Sequence, residues 1–257
     1  MTRLLRNMYY LYNIYIAKYI YMKRVFSVCL WGDNDKYNIG AIKNADLCKL
    51  YYPDFEYWIY IHEDSVPLST IEALKKRHYV KIILKNQKLY ECNPMSWRFE
   101  AIDDPDVELI ISRDVDTIIL EREVVATNEW LKSGMLFHIM RDHPHHKRWH
   151  IFAGMFGTRK IPEIPSWTDL IARRDFRCQT ADQDLLEKYI YPVVYDKSLI
   201  HDNFWRPEEN CQYFTTKYNS ECDFVGMYVF PDGSRSKTHM EIIQEEVKQL
   251  KEKGIHL

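Results

Sequence analysis

The chain contains the stretch Glu108-Leu109-Ile110-Ile111-Ser112-Arg113-Asp114-Val115-Asp116, an apolar run that ends in two acids with one residue between them. In an extended backbone, residues i and i+2 project to the same side, so the pattern predicts that Asp114 and Asp116 aim their carboxylates at one point. Mg²⁺ is usually held by one or two carboxylates together with the phosphates of a substrate. Open α/β sheets also bind their ligands at the carboxyl ends of strands. The stretch therefore predicts a divalent-metal site for a substrate that carries phosphate.

Strand and helix patterns alternate on both sides of this stretch. Before it, the sequence predicts strands at 25–31, 57–62 and 79–84 and helices at 41–52, 70–78 and 94–102. After it, the sequence predicts strands at 135–140 and 151–156 and helices at 121–132, 167–174, 181–189 and 241–253. Such alternation is typical of the α/β class, with a Rossmann-like, mostly parallel central sheet flanked by helices. We expect one such domain over residues 24–257.

Composition excludes some classes of partner and favours a reducing compartment. The formal net charge is −2 and the sequence pI is about 6.6, so no overall basic field attracts nucleic acid, and none is expected as a partner. Six cysteines are scattered without a C-x-x-C pair, which indicates reduced thiols. Together with the lack of a secretory signal pattern, this predicts a cytoplasmic protein.

The first residues differ in composition from the rest and are predicted to form an extension, residues 1–23. The first 24 residues contain no acid and carry five basic side chains, at Arg3, Arg6, Lys18, Lys23 and Arg24. Lys18 and several tyrosines interrupt the apolar positions, so no transmembrane segment is expected. The segment is interpreted as a basic aromatic helix beside the domain, with peripheral attachment to a membrane surface as the alternative.

Seven short segments, taken in this order along one α/β chain, resemble metal-dependent nucleotide-sugar glycosyltransferases of GT-A type. They are Tyr37-Asn38-Ile39-Gly40-Ala41, Trp97-Arg98-Phe99, Arg113-Asp114-Val115-Asp116, His138-Ile139-Met140-Arg141-Asp142-His143-Pro144, Gly154-Met155-Phe156-Gly157, Asp182-Gln183-Asp184-Leu185-Leu186 and His201-Asp202. The resemblance implies a GT-A-like fold and transfer of a sugar from a nucleotide-sugar donor. UDP is the expected nucleotide, Mn²⁺ or Mg²⁺ the expected ion, and a saccharide, protein or lipid the acceptor.

The resemblance also implies a set of donor-binding residues. Tyr37 would stack on the base and Arg98 would donate to the diphosphate, although a tyrosine packed on its helix and a surface ion pair are the structural alternatives. The small glycines would allow a ligand to approach the backbone, or would serve tight strand packing instead. The full expected set is Tyr37, Arg98, Arg113, Asp114, Gly154 and Gly157.

Metal binding and catalysis are expected from other residues of the same segments. The metal ligands implied are Asp114, Asp116 and His201, with His239 in reserve for the third position. Asp182 and Gln183 resemble the Asp-Gln pair of retaining, glycogenin-like enzymes and are expected near the reacting carbon, which favours retention; helix capping is the alternative for Asp182. Asp142 is expected to bind a sugar hydroxyl.

Two other functions and one other metal cluster fit parts of the pattern. Asp114-Val115-Asp116-Thr117 also resembles the nucleophile motif of haloacid-dehalogenase-like phosphatases, although three predicted strands precede it here. A non-catalytic nucleotide-sugar-binding protein would keep the same fold. A histidine-rich loop, with His143, His145, His146 and His150, is a second metal candidate, but Pro144 limits helix formation there and the spacing matches no zinc motif.

Overall fold

A computed structural model describes residues 22–172, 180–255 and 257 of the chain. Eight strands form one sheet in the order β3-β2-β1-β4-β6-β5-β7-β8. The strands are β1 (Lys23–Leu30), β2 (Phe55–His62), β3 (Val80–Lys85), β4 (Val107–Arg113), β5 (Phe137–Arg141), β6 (Met155–Arg159), β7 (Ser198–Asp202) and β8 (Cys211–Gln212). Of the seven neighbouring pairs described, the two that involve β6 are antiparallel and the other five are parallel. The predicted α/β class with a mostly parallel central sheet is confirmed.

Helices flank both faces of this sheet. They are α1 (Asp35–Tyr51), α2 (Leu68–Lys75), α3 (Glu121–Ser133), α4 (Trp167–Ala172), α5 (Ala181–Leu185), α6 (Tyr191–Val194) and α7 (Lys237–Glu252), with a 3-10 helix at Pro94–Asp103. Asn34 caps α1 by accepting from the amide of Lys36, and Ser236 caps α7 by accepting from the amide of His239. α7 begins at Lys237, four residues before the start that the amphipathic pattern predicts. Among the described residues, no helix combines the length and apolarity that a membrane crossing requires.

The first half of the sheet follows the predicted order of elements, whereas the second half differs. β6 begins at Met155 instead of residue 151, because a turn closed by the Met155 amide and the Phe152 carbonyl (2.9 Å) occupies the start of the predicted strand. β7 and β8 were not predicted. Most of the predicted extension lies outside the described residues; its last residue, Lys23, already begins β1.

The sheet separates two layers of core, and this separation positions the site. Trp130 of α3 packs with the α1 and α2 side, while Trp167 of α4 packs on the other face together with the 3-10 helix. The hydroxyl of Ser27 on β1 donates to the carbonyl of Arg98 (2.6 Å) and fixes the 3-10 helix against the strand. Arg98 is therefore held on one face of the sheet beside the carboxyl ends of β1 and β4.

Candidate functional site

A cavity of about 490 Å³ lies at the carboxyl ends of β1 and β4. These strands are parallel neighbours at the centre of the sheet, which is where open α/β sheets bind ligands. The cavity is lined by Cys29, Leu30, Trp31, Tyr37, Met95, Arg98, Asp114, Val115 and Asp116. Four residues predicted from the sequence thus meet here, namely Tyr37, Arg98, Asp114 and Asp116. Trp31, a second aromatic side chain at the wall, was not predicted.

The two acids reach the cavity from a turn. β4 ends at Arg113, and Val115 and Asp116 form a turn, so the expectation of extended backbone through the triplet is wrong. Asn44 of α1 holds this turn by donating to the carbonyls of Val115 (2.9 Å) and Thr117 (2.6 Å). The turn still brings both acids to the wall of one cavity.

Arg98 joins Asp114 to Asp182. Its side chain is 3% exposed, and its guanidinium donates to Oδ1 of Asp114, to Oδ2 of Asp182 (3.1 Å) and to the carbonyl of Arg113 (3.2 Å). Burial opposes ionisation of Asp114, but the charge and hydrogen bond of Arg98 outweigh it and hold the pKa of that carboxyl below its ordinary value. At Asp182, burial outweighs the charge of Arg98 and raises the pKa.

Asp116 has a different cation, Lys36 of α1. The ammonium nitrogen lies 2.6 Å from Oδ2 of Asp116, above the ring of Tyr228 (4.2 Å to the centroid) and beside that of Tyr37 (5.1 Å). Burial and the nearby charge of Asp114 raise the pKa of Asp116 despite this ion pair. Lys36 was not predicted as a site residue. In the sequence, only its position next to Tyr37 distinguishes it from other lysines.

Gln183 lies at the start of α5, next to the ion pair of Arg98. Oδ1 of Asp182 accepts from the Gln183 amide (2.9 Å), which places the two side chains at the same helix end. The side-chain nitrogen of Gln183 is buried and has no hydrogen-bond partner among the described residues. Because buried donors are nearly always satisfied, this atom marks a position where a ligand could accept a hydrogen bond.

Two predicted glycines have different roles. A Cβ at Gly154 would lie 2.1 Å from Oδ2 of Asp114, so the missing side chain makes room for the acid of the cavity. A Cβ at Gly157 would lie 2.6 Å from the ring of Trp130. Gly157 therefore serves packing between β6 and α3, and the structure does not bring it to the cavity.

Arg113 is also placed differently from the expectation. Its guanidinium lies 3.0 Å from the carboxylate of Glu123, both side chains are almost fully buried, and it donates to the Gly154 carbonyl (3.1 Å). These partners lie on α3 and directly before β6. The side chain stabilises the junction of β4 with α3 and does not line the cavity.

Asp142 lies in a saturated buried network. It accepts from Nε (2.8 Å) and Nη2 (3.1 Å) of Arg122, from the hydroxyl of Tyr218 (2.6 Å), from the amide of Val225 (2.9 Å) and from Asn203 (3.1 Å). The residue is fully buried. No carboxylate lone pair remains directed at a sugar, so the expected catalytic role is replaced by a structural one.

The structure does not bring His201 to the two acids. Its Nδ1 lies 2.9 Å from His138 and its Nε2 lies 2.8 Å from the carboxylate of Glu129, so both ring nitrogens have protein partners. β7 is three strands from β4, which corresponds to about 14 Å at the usual strand spacing. In this structure, His201 is therefore not in a position to be the third metal ligand beside Asp114 and Asp116.

His239, the reserve ligand, does not line the cavity. Its ring packs on Tyr228 (5.4 Å between centroids), the same ring that Lys36 covers. It also joins the rings of His143 and His145 in a cluster, while His150 pairs with Glu187 elsewhere. Over residues 22–172 and 180–255, no group of three His, Cys, Asp or Glu side chains is arranged to hold a metal ion.

The acids nevertheless fit an ion that a substrate shares. Asp114 binds Arg98 through Oδ1 and Asp116 binds Lys36 through Oδ2, so in the described part of the chain each acid keeps a second oxygen that pairs with no other side chain. Two carboxylates completed by substrate phosphates are a common arrangement for Mg²⁺. The site therefore fits a cation that arrives with a diphosphate, and it does not fit a complete protein cage.

No protein-family model and no curated protein matches the chain. Solved structures show remote likeness. A glycosyltransferase involved in glycosylation of the major capsid of PBCV-1 is 12% identical (TM-score 0.48), with 87% of this chain and 99% of that chain covered. The Pyrobaculum calidifontis mannosyltransferase PcManGT, in complex with GDP-Man and Mn²⁺, is 10% identical (TM-score 0.46, coverage 74% and 56%). S. aureus TarS is 13% identical (TM-score 0.39, coverage 63% and 53%), so the chain spans about half the length of the latter two. Similarity this remote assigns neither an activity nor a substrate.

Proposed function

We propose that this chain is a metal-dependent glycosyltransferase that binds a nucleotide-sugar donor, UDP-linked, in the cavity at the ends of β1 and β4. The observation that carries the proposal is the ion-pair chain Asp114–Arg98–Asp182, which joins three distant segments at this cavity. It supports the proposal because Asp114, which is expected to hold the cation, and Asp182, which is expected at the sugar, bind the same guanidinium. Residues 24–257 form the transferase domain in this proposal, and residues 1–23 are an extension.

Aromatic and basic residues of the cavity suit a nucleoside diphosphate. Tyr37 is 38% exposed at the wall, and Trp31 lines the same cavity, so both offer a ring to the base. Nε of Arg98 is buried without a hydrogen-bond partner in the described part of the chain. A diphosphate oxygen would satisfy this donor and gain a charge-assisted hydrogen bond.

In the reaction we propose, the bond between the anomeric carbon and the diphosphate oxygen breaks and its electron pair leaves with the diphosphate. The acceptor hydroxyl oxygen bonds to the anomeric carbon, and its proton passes to an oxygen of the departing diphosphate. Asp114 and Asp116 would hold Mn²⁺ or Mg²⁺, which would neutralise the departing diphosphate. Gln183 and Asp182 would orient the sugar and stabilise positive charge at the reacting carbon, with retention of the anomeric configuration.

A panel of nucleotide sugars, screened by thermal unfolding with Mn²⁺ or with EDTA, tests the proposal. Ligand binding to the native state raises the unfolding temperature, so one donor should stabilise the wild type only with Mn²⁺. Asp33→Asn, which changes an exposed acid in the turn after β1, is the matched control and should keep the response. Asp116→Asn should lose it.

Turnover then separates the alternatives. Release of nucleoside diphosphate from the stabilising donor supports the transferase. Stabilisation without any turnover, with every acceptor class supplied, would instead indicate a binding protein, and release of phosphate from simple esters would indicate a phosphatase.

A further inference from the structure

The ammonium of Lys36 forms an ion pair with the carboxylate of Asp116 at the cavity. The ion pair is short (2.6 Å) and partly protected from solvent, with the side chains of Lys36 and Asp116 exposed by 20% and 14%. The first turn of α1 supplies Lys36, and the turn after β4 supplies Asp116. The close packing of Gly40 on the Val115 carbonyl holds these two segments together.

Both acids of the cavity are therefore neutralised by the protein itself. Arg98 forms an ion pair with Asp114, and Lys36 forms one with Asp116. The two cations differ in their attachment, because Arg98 also binds Asp182 and the Arg113 carbonyl, whereas the only carboxylate that Lys36 contacts among the described residues is Asp116. Lys36 is thus the cation that can leave.

We propose that Lys36 is the resident counter-ion of Asp116 in the donor-free protein and that the divalent cation displaces its ammonium when the donor binds. The inference rests on the proposed function and adds a residue that competes with the metal ion. The rings of Tyr228 and Tyr37, which already face the ammonium, offer it a favourable position after displacement.

This competition links metal binding to the donor. An ion that arrives alone must displace Lys36 and gains two carboxylates, whereas an ion that arrives with a diphosphate gains phosphate ligands as well. The wild type should accordingly bind Mn²⁺ weakly alone and at least about tenfold more tightly in the presence of UDP.

Mn²⁺ binding, measured by the electron paramagnetic resonance signal of the free ion, tests the inference without turnover. Lys36→Met should strengthen binding of Mn²⁺ alone by about five- to tenfold, and the gain from UDP should shrink. Lys36→Arg keeps the charge and should stay close to the wild type. Lys43→Met removes a positive charge from the same helix, where Lys43 contacts the Pro231 carbonyl instead of an acid, and should leave Mn²⁺ binding unchanged.

A double variant distinguishes competition from a general change of charge. In Asp116→Asn, the further change Lys36→Met should have no effect on Mn²⁺ affinity, because the carboxylate for which Lys36 and Mn²⁺ compete is absent. Equal affinity of Lys36→Met and the wild type, or an equal gain in Lys43→Met, would overturn the role of Lys36 and leave the proposed function standing. Absence of Mn²⁺ binding in the wild type, both with and without UDP, would overturn both.

Discussion

Arg98 donates from Nη2 to Oδ2 of Asp182 across 3.1 Å, although 84 residues separate them in the chain. The same guanidinium binds Asp114, so one side chain fixes the positions of a strand end and a helix start. A buried cation between two carboxylates limits where either acid can move. The geometry of the cavity therefore depends on Arg98.

Arg98→Met should lower the free energy of unfolding by about 3 kcal/mol, because removing one partner of a buried ion pair leaves a buried charge uncompensated. Urea denaturation measures this change. Arg77→Met, which breaks a more exposed ion pair with Asp46, is the control and should cost at most about 1 kcal/mol. Equal losses in the two variants would contradict the central position of Arg98.

Gly154→Ala and Gly157→Ala should have opposite consequences. The new methyl group at residue 154 meets Asp114, so Mn²⁺-dependent donor affinity should fall at least about tenfold. At residue 157 it meets Trp130, so stability should fall by about 1–3 kcal/mol with donor affinity retained. Calorimetric titration and urea denaturation of both variants measure the two effects. Loss of donor affinity in Gly157→Ala would contradict its assignment to packing.

The part of the site that could be predicted from the sequence lies at the ends of strands. β4 is an apolar run next to a turn, and its acids were recognisable because a parallel sheet places such residues at one edge. Arg98 and Tyr37 were expected from the resemblance of their short segments to glycosyltransferases of GT-A type. Strand ends and short segments are local signals, so one sequence is sufficient to read them.

Arg113, Asp142 and His201 could not be placed in this way. Each has the residue type of a functional group, yet each is buried against a partner from another element. Tyr218, whose hydroxyl binds Asp142, is 76 residues away in the chain, and no local sequence pattern predicts this contact. The pairing of Lys36 with Asp116 could not be predicted for the same reason, since it depends on how closely α1 packs on the turn.

Gln183→Ala should lower kcat at least about tenfold with little change in KM, because the side chain of Gln183 is expected to act at the reacting carbon. Stability should hardly change, since its side-chain nitrogen has no partner to lose among the described residues. Asp142→Asn should show the reverse, with lower stability and retained turnover per folded molecule. An unchanged kcat in Gln183→Ala would exclude it from the reacting centre.

Acid should destabilise the protein between pH 7 and pH 5 through buried histidines. Burial lowers the pKa of His138, His143 and His201, and that of His143 falls to about 4. In the unfolded chain a histidine titrates near pH 6.5, so the unfolded state binds more protons in this range and the free energy of unfolding falls as the pH falls.

Each such histidine contributes up to about 2 kcal/mol of this loss. Urea denaturation at several pH values measures it, and His143→Gln should show a smaller loss than the wild type. Stability that rises from pH 7 to pH 5 would contradict the neutral state of these side chains.

Calorimetric titration of UDP into the wild type and Asp116→Asn, each with Mn²⁺ and with EDTA, tests the central claim most directly. We expect the wild type to bind UDP at least about tenfold more tightly with Mn²⁺ than with EDTA, and Asp116→Asn to bind it equally under both conditions. Wild-type affinity that is indifferent to Mn²⁺, or a full Mn²⁺ effect in Asp116→Asn, would contradict a metal-assisted donor site at Asp114 and Asp116.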